Sequence, residues 1–132
     1  TYFHGIWSKA ERTFQYVNAG HNPPMLLRAN GDLELLEKGG LLLGVMTGMP
    51  YESESVQLES GDVLVMFTDG VTEAMSPDGE EYEEHRLEAL LRRVQHKSAQ
   101  EILDAINDAI TEWSDGEPTK ADDVTMIVLK AT

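Results

Sequence analysis

Alternating hydrophobic and polar positions over the first half of the chain predict a series of β-strands. Five segments alternate or are rich in β-branched and aromatic residues, namely 2–7, 13–17, 24–28, 33–36 and 53–58. Asn30-Gly31-Asp32 has the composition of a hairpin turn between two of them. A sixth segment, 63–67, is apolar throughout, which is typical of a strand buried on both faces. This strand ends at Thr68-Asp69-Gly70.

The hydrophobic period becomes helical in the second half of the chain. Leu87, Leu90, Leu91 and Val94 have the i, i+3, i+4, i+7 spacing of an amphipathic helix. Ser98 followed by Glu101 predicts a capping box at the start of a second helix. The apolar face of that helix comprises Ile102, Ala105, Ile106, Ala109, Ile110 and Trp113. With a loop at 116–121 and a last strand at 124–129, the pattern predicts an α+β fold in which the helix pair packs on one face of a largely antiparallel sheet.

The charge balance of the chain narrows the classes of partner. Ten Lys and Arg residues stand against 24 Asp and Glu residues, a formal net charge of −14. Nucleic acids and anionic membranes are bound through basic side chains, so neither is an expected partner. An anionic substrate would have to be met by a positive group that the chain does not supply, and a bound metal ion is the natural candidate.

Length and cysteine content set further limits. With 132 residues, 41% of them hydrophobic, the chain fits one domain with a buried core. The absence of cysteine excludes disulfides, thiolate nucleophiles and cysteine-ligated metals. No apolar run reaches the ~20 residues that span a bilayer, and no leader pattern is present, so the cytoplasm is the expected compartment. The sequence begins inside a strand-like pattern, from which we expect it to be a portion of a longer protein.

Acidic residues beside two predicted strands are the candidate metal ligands. Asp69 follows the buried strand, and Asp122 and Asp123 precede the last strand. If these strands are neighbours, Asp69 and Asp122 converge, and their carboxylates suit Mg²⁺ or Mn²⁺. On spacing alone, an Asp-Gly pair after a strand is more often a simple turn.

Other residue types offer no competing site. The four histidines lack zinc-binding spacing, and the serines lack a nucleophile-elbow context. His21 lies in a tight loop, where we expect it to order the backbone. The acidic run 81–84 is expected to be a solvated helix start. Gly39, Gly40 and Gly44 do not match a phosphate-binding loop and are interpreted as turn glycines.

Four motifs in a fixed order carry a resemblance to a known family. They are YVNAGHNPP at 16–24, GLLLGV at 40–45, FTDGVTEA at 67–74 and DDVT at 122–125. Together they resemble the metal-dependent (PPM-type) protein serine/threonine phosphatases, in the bacterial branch of sporulation stage II E and stress-regulator phosphatases. The resemblance extends over nearly the whole chain.

The resemblance implies a four-layer αββα sandwich with two ions, Mn²⁺ or Mg²⁺, in a channel between the ends of two antiparallel sheets. In that family a metal-activated water hydrolyses phosphoserine or phosphothreonine, and no phosphoenzyme forms. Transferred to this sequence, the pattern assigns Asp69 and Asp122 as metal ligands. Thr68, Gly70 and Asp123 are then expected to support the site without binding the metal.

The sequence also departs from the family pattern. The upstream segment that carries the family's metal-bridging aspartate is not in this sequence. The resemblance therefore implies that 1–132 is the C-terminal portion of a single phosphatase domain, incomplete on its N-terminal side and inactive by itself. A smaller departure is Glu83, which stands where the family usually has the glycine of Phe-Gly-x-x-Arg-Leu.

The partners implied by the resemblance belong to sigma factor regulation. The substrate would be a phosphorylated regulatory protein of the anti-sigma antagonist type, and an N-terminal sensor or receiver domain would control the activity. The alternative is a non-catalytic, phosphatase-like interaction module in a bacterial signalling protein. Sheet edges left uncovered in this portion are also expected to favour homo-oligomers.

Overall fold

The computed structural model describes residues 1–116 and 123–132. The strands of this part are β1 Tyr2–Ser8, β2 Thr13–Ala19, β3 Met25–Leu27, β4 Leu33–Leu35, β5 Gly39–Gly40, β6 Glu54–Gln57, β7 Val63–Phe67 and β8 Met126–Lys130. The helices are α1 Asp69–Thr72, α2 Glu83–Val94 and α3 Ala99–Trp113. None of these helices has the length and apolar content needed to cross a membrane.

The first sheet is built around β2. Strand β1 pairs with β2 in antiparallel fashion along its whole length, and β6 pairs antiparallel with the other side of β2. Strand β5 pairs with the end of β2 in parallel fashion. The interpretation of Gly39 and Gly40 as turn glycines was therefore wrong. A Cβ atom on Gly39 would lie 1.7 Å from the carbonyl oxygen of Asn18, so glycine is needed here for close backbone pairing.

The second sheet has the order β4-β3-β7-β8, and every neighbouring pair is antiparallel. Phe67 at the end of β7 is paired with Met126 at the start of β8. The condition on which the candidate ligands were expected to converge, that these two strands are neighbours, is thereby met. The prediction did not include α1, because a turn of four residues is too short to have a hydrophobic period.

Strand β7 separates two hydrophobic cores, as its uninterrupted apolar sequence predicted. Val63, Val65 and Phe67 belong to the core shared with α2 and α3. Leu64 belongs to the core between the sheets, together with Phe14 and Tyr16 of the first sheet. The two faces of the strand are thus both buried, and the second sheet is the middle layer of the described fold.

The helix pair covers the second sheet with its predicted apolar faces. The capping box at the start of α3 is confirmed: the Ser98 hydroxyl accepts from the Glu101 amide, and the Glu101 carboxylate accepts from the Ser98 amide. The described residues thus form an α+β arrangement of helices, sheet and sheet, which are three of the four layers implied by the resemblance. Within the described part, the outer face of β1, with Tyr2 and Ile6, has no helix over it.

Candidate metal centre

Asp69 lies where the buried strand β7 passes into α1. Its backbone carbonyl accepts hydrogen bonds from the Glu73 amide at 2.8 Å and the Thr72 hydroxyl at 3.3 Å. Gly70 and Thr72 are buried beneath it, so this short helical turn is held firmly against the core. The Asp69 side chain is half-buried and has no hydrogen-bond or ion-pair partner within the described part of the chain. Its carboxylate is therefore available to a ligand.

Thr68 joins the end of β7 to the segment before β8. Its hydroxyl donates to the Asp123 carbonyl at 2.9 Å and accepts from the Thr125 amide at 3.0 Å. Its own amide donates to the Thr125 carbonyl at 3.1 Å. These three bonds, which we call the Thr68 clamp, place Asp69 and Asp123 beside each other at one end of the second sheet.

The second predicted ligand, Asp122, lies outside the described residues. Asp123 is exposed and follows it directly into the clamp. Within residues 1–116 and 123–132, no three histidine or acidic side chains come together in a group that would hold a metal ion. The described structure therefore contributes Asp69, the clamp and the position of Asp123.

The donor chemistry fits a hard divalent cation, as far as it is described. An unpaired, half-buried carboxylate at Asp69 is the ligand type that Mg²⁺ and Mn²⁺ prefer. A cation that takes about six oxygens needs more protein or water ligands than Asp69 and Asp122 together provide. The two aspartates would therefore form one part of a metal centre.

Asn18 organises the same end of the sandwich, a role that the sequence did not reveal. Its side-chain nitrogen donates to the carbonyls of His21 at 2.9 Å and Leu36 at 3.2 Å, and its side-chain oxygen accepts from the His21 amide at 2.8 Å. The residue is only 4% exposed. The loop after β2 was expected to be ordered by His21, but the ordering side chain is Asn18. The one feature of the sequence that pointed to Asn18 is its position within the motif YVNAGHNPP at 16–24.

Arg86 fixes the loop that follows α1. Its guanidinium carbon lies 4.3 Å from the centre of the Trp113 ring, and it donates to the Tyr82 carbonyl at 3.1 Å. The Trp113 indole nitrogen donates to the Glu80 carbonyl at 3.1 Å. Glu83, which follows Tyr82, has a φ angle of 62°. Glycine adopts this left-handed conformation without strain, which explains the glycine at this place in the pattern Phe-Gly-x-x-Arg-Leu.

A cavity of about 640 Å³ opens beside β5, at the edge of the first sheet. Tyr16 lines it and donates to the Glu54 carboxylate at 2.5 Å. Burial, together with this hydrogen bond, raises the pKa of Tyr16 to about 12. The phenol is therefore protonated at neutral pH and acts here as a hydrogen-bond donor.

The two packed sheets with a helix pair on one face match part of the fold of PP2C phosphatase domains, as comparison with solved structures shows. One such structure contains the PP2C phosphatase domain and a fragment of the regulatory domain of the cell fate determinant SpoIIE from Bacillus subtilis. The match covers 96% of this chain and 36% of the chain in that structure. The TM-score is 0.76, at 23% identity. The match to a manganese-soaked structure of the SpoIIE phosphatase domain covers 98% of this chain and 56% of the chain in that structure. Its TM-score is 0.72, at 19% identity.

The family model for stage II sporulation protein E (SpoIIE) matches residues 1–132, and the chain belongs to this family. It is similar to the protein IcfG of Synechocystis sp., with 34% identity over 130 residues. It is also similar to the phosphoserine phosphatase RsbU of Bacillus subtilis, with 33% identity over 131 residues. Each match covers 98% of this chain, but the chain spans only 20% of IcfG and 38% of RsbU.

Proposed function

We propose that the chain contributes to the active site of a metal-dependent phosphatase that hydrolyses phosphoserine or phosphothreonine on a regulatory protein in the cytoplasm. In this proposal 1–132 is the C-terminal portion of the phosphatase domain, and residues of the longer protein complete the metal centre. The substrate is a phosphoprotein of the anti-sigma antagonist type, and a sensor or receiver domain elsewhere in the longer protein controls the activity.

One observation supports the proposal: the pairing of β7 with β8 and the Thr68–Asp123 hydrogen bond bring the free carboxylate of Asp69 to the same end of the sheet as Asp123, which follows Asp122 in the sequence. This juxtaposition occurs in a chain whose relative RsbU is a phosphoserine phosphatase. It also agrees with the acidic composition, since a bound cation reverses the local field for an anionic substrate.

In the proposed site, Asp69 and Asp122 hold a divalent cation, Mn²⁺ or Mg²⁺. When bound, two such cations supply an activated water and neutralise phosphate charge. The Thr68 clamp holds the two strand ends at a fixed separation. Gly70, the residue after Asp69, is buried in α1. Asp123 contributes its backbone carbonyl to the clamp.

The test uses the longer natural protein, freed of metal by chelation and then supplied with Mn²⁺. We expect phosphate release from a phosphoserine peptide that depends on Mn²⁺ and falls at least about 100-fold in Asp69→Asn. Asp78→Asn is the matched control, because Asp78 is an acidic residue in the loop after α1 that the proposal leaves without a role. Equal activity of Asp69→Asn and wild type would contradict the proposal. The 132-residue chain alone is expected to bind Mn²⁺ weakly and to show no turnover.

A second candidate is a non-catalytic, phosphatase-like interaction module. It stays the alternative because the family's metal-bridging aspartate is not among residues 1–132. The same experiment separates the two functions. A longer protein that binds Mn²⁺ in calorimetry without releasing phosphate from any phosphoserine or phosphothreonine peptide would support the module.

A further inference from the structure

His21 lies on the connection from β2 to β3, which crosses from the first sheet to the second. Strand β3 is antiparallel to β7, with its first residue, Met25, opposite Val65. The chain before Met25 and the chain after Val65 therefore leave the second sheet at the same end. His21 and Asp69 both lie at this end. In the order β4-β3-β7-β8, the end of β7 lies between the start of β3 and the start of β8.

The backbone of His21 is held by its neighbours, and its own side chain takes no part in this. The Asn18 side chain accepts from the His21 amide at 2.8 Å and donates to the His21 carbonyl at 2.9 Å. Gly20, with a φ angle of 71°, turns the chain between them, and the Leu42 side chain lies against it. A substitution of the His21 ring therefore leaves the hydrogen bonds of this loop in place.

The imidazole of His21 lies at the opening between the two sheets. Its centre is 6.4 Å from the centre of the Phe3 ring, and Phe3 packs against the core between the sheets. The ring is half-buried, and its Nδ1 lies 3.2 Å from the Thr1 hydroxyl oxygen. In the imidazolium form, Nδ1 donates to Thr1 and Nε2 also carries a hydrogen. Within residues 1–116 and 123–132, Nε2 has no hydrogen-bond partner.

Hydrolysis of phosphoserine makes a demand that the candidate metal ligands do not meet. When the bond from phosphorus to the serine oxygen breaks, its electron pair goes to that oxygen. The resulting alkoxide is a strong base, so the bond breaks more readily when a proton is delivered to the oxygen as it leaves. Asp69 and Asp122, as ligands of a cation, are ionised and have no proton to give. The Nε2 hydrogen of His21 is a proton of the required kind at the same end of the sandwich.

We propose that His21 donates the proton that the leaving serine oxygen takes up. This inference rests on the phosphatase function proposed above. A water oxygen bonds to phosphorus while the bond to the serine oxygen breaks, and that oxygen takes the proton from Nε2. The water keeps one proton as part of the product phosphate and loses the other to solvent, from which His21 is protonated again. The products are a serine hydroxyl and inorganic phosphate.

The experiment compares two substrates of the longer natural protein in the presence of Mn²⁺, a phosphoserine peptide and p-nitrophenyl phosphate. The p-nitrophenolate ion is a weak base and leaves without a proton, whereas the serine alkoxide needs one. We expect His21→Gln to lower kcat about 100-fold for the peptide but less than about threefold for p-nitrophenyl phosphate. Glutamine is polar and of similar size, but it gives up no proton at neutral pH. His4→Gln is the matched control, because His4 is exposed on β1 and its variant should keep both rates.

A second variant leaves His21 in place and changes the group beside its Nδ1. Thr1→Val removes the hydroxyl that orients the ring. We expect it to lower kcat for the peptide about threefold or more and to leave p-nitrophenyl phosphate hydrolysis unchanged. This variant decides the question if circular dichroism shows that His21→Gln does not fold.

The outcomes separate the two proposals. A wild type that releases no phosphate from the peptide overturns the phosphatase function, and the role of His21 falls with it. If the wild type is active, an unchanged peptide rate in folded His21→Gln overturns the role of His21 alone. Equal losses on both substrates also overturn it, and an accompanying rise in the Mn²⁺ requirement would show that His21 holds the cation instead. If His21→Gln does not fold, an unchanged peptide rate in Thr1→Val overturns the proposal.

Discussion

The hydroxyl of Thr68 donates a hydrogen bond to the carbonyl of Asp123, across 55 residues of sequence. Thr68 is also the N-cap of α1, a position where a threonine oxygen ordinarily accepts from a backbone amide of its own helix. It makes no such bond here. Its oxygen instead accepts from the Thr125 amide. The side chain therefore joins the segment before Asp69 to the segment 123–125.

The first prediction concerns the Thr68 clamp. Thr68→Val keeps the shape of the side chain but removes both bonds of its hydroxyl, so the free energy of unfolding should fall by about 1–2 kcal/mol. Because the clamp positions Asp69, we also expect the Mn²⁺ concentration for half-maximal activity of the longer protein to rise about tenfold or more. The measurement is activity against Mn²⁺ concentration, with stability followed by urea unfolding.

Thr68→Ser is the matched control, since it retains the hydroxyl and should keep the wild-type Mn²⁺ dependence. If Thr68→Val loses stability but needs no more Mn²⁺ than Thr68→Ser does, the clamp supports the fold and not the metal centre.

The second prediction separates Asp122 from Asp123. Successive side chains of an extended chain point to opposite faces, so both carboxylates cannot reach one metal ion without a bulge. The family resemblance assigns the first aspartate, Asp122, as the metal ligand. Asp122→Ala should therefore abolish activity at ordinary Mn²⁺ concentrations, as Asp69→Ala should. Asp123→Asn should have a milder effect, because the backbone carbonyl that Thr68 uses is retained.

This prediction is tested by activity against Mn²⁺ concentration for the three variants in the longer protein, with circular dichroism to confirm folding. An inactive Asp123→Asn beside an active Asp122→Ala would reverse the two roles.

The third prediction concerns the acid sensitivity of the fold through Asp62. Burial by itself would raise the pKa of this carboxyl, but hydrogen bonds from the Glu59 amide, the Arg28 guanidinium and the Ala29 amide outweigh it and hold the pKa below its ordinary 3.8. Asp62 is 2% exposed. Because the folded-state pKa is lower than the unfolded one, the stabilisation is fully present above about pH 4 and is lost as the pH falls through the folded-state value.

Urea unfolding between pH 6 and pH 3 checks this expectation. Wild type should lose stability more steeply below pH 4 than Asp62→Asn, which has no carboxyl to protonate at that position. At pH 7, Asp62→Ala should cost about 3 kcal/mol, because it leaves the Glu59 and Ala29 amides without their acceptor and removes the buried partner of Arg28. Glu34→Ala removes the exposed partner of Arg28 and should cost less than about 1 kcal/mol. Equal losses for the two alanine variants would contradict the assignment.

Local sequence patterns predicted the elements whose hydrophobic period matches their burial. The apolar run of β7 predicted burial on both faces because each face does meet a core. The capping box of α3 was predictable from Ser98 and Glu101 because both partners lie within one turn. The pairing of β7 with β8 could not be predicted, because strand order is decided by packing between distant segments. In the sequence it was only the condition under which the two aspartates would converge.

The features that escaped prediction depend on contacts between distant segments. The Asn18 amide reaches Leu36, and the Thr68 hydroxyl reaches Asp123, through a register that no local pattern encodes. Gly39 was misinterpreted for the same reason, because its need for a small residue comes from the approach of β2. For the candidate site, Asp69 and Asp122 could both be proposed from their places beside two strands, and the choice of Asp122 over Asp123 rests on the resemblance.

The last prediction concerns the left-handed backbone at Glu83, which has a φ angle of 62° at the start of α2. A residue with a Cβ atom loses roughly 1–2 kcal/mol in this conformation, whereas glycine adopts it freely. Glycine also makes the unfolded chain more flexible, and this entropy offsets roughly 0.5–1 kcal/mol of the stabilisation gained by removing the strain. The contact of Glu83 with His85, at 3.1 Å between two exposed side chains, adds little.

Glu83→Gly should therefore stabilise the protein by about 0.5–1 kcal/mol, a rise in melting temperature of roughly 2–4 °C. Glu84→Gly is the control at the next position, which is an ordinary helical residue of α2 where glycine should cost up to about 1 kcal/mol. The two variants remove the same side chain from neighbouring exposed positions, so their difference isolates the backbone effect. Thermal unfolding followed by circular dichroism measures both. If Glu83→Gly is destabilised as much as Glu84→Gly, the left-handed backbone at Glu83 is not under strain, and the family's glycine at this place has another cause.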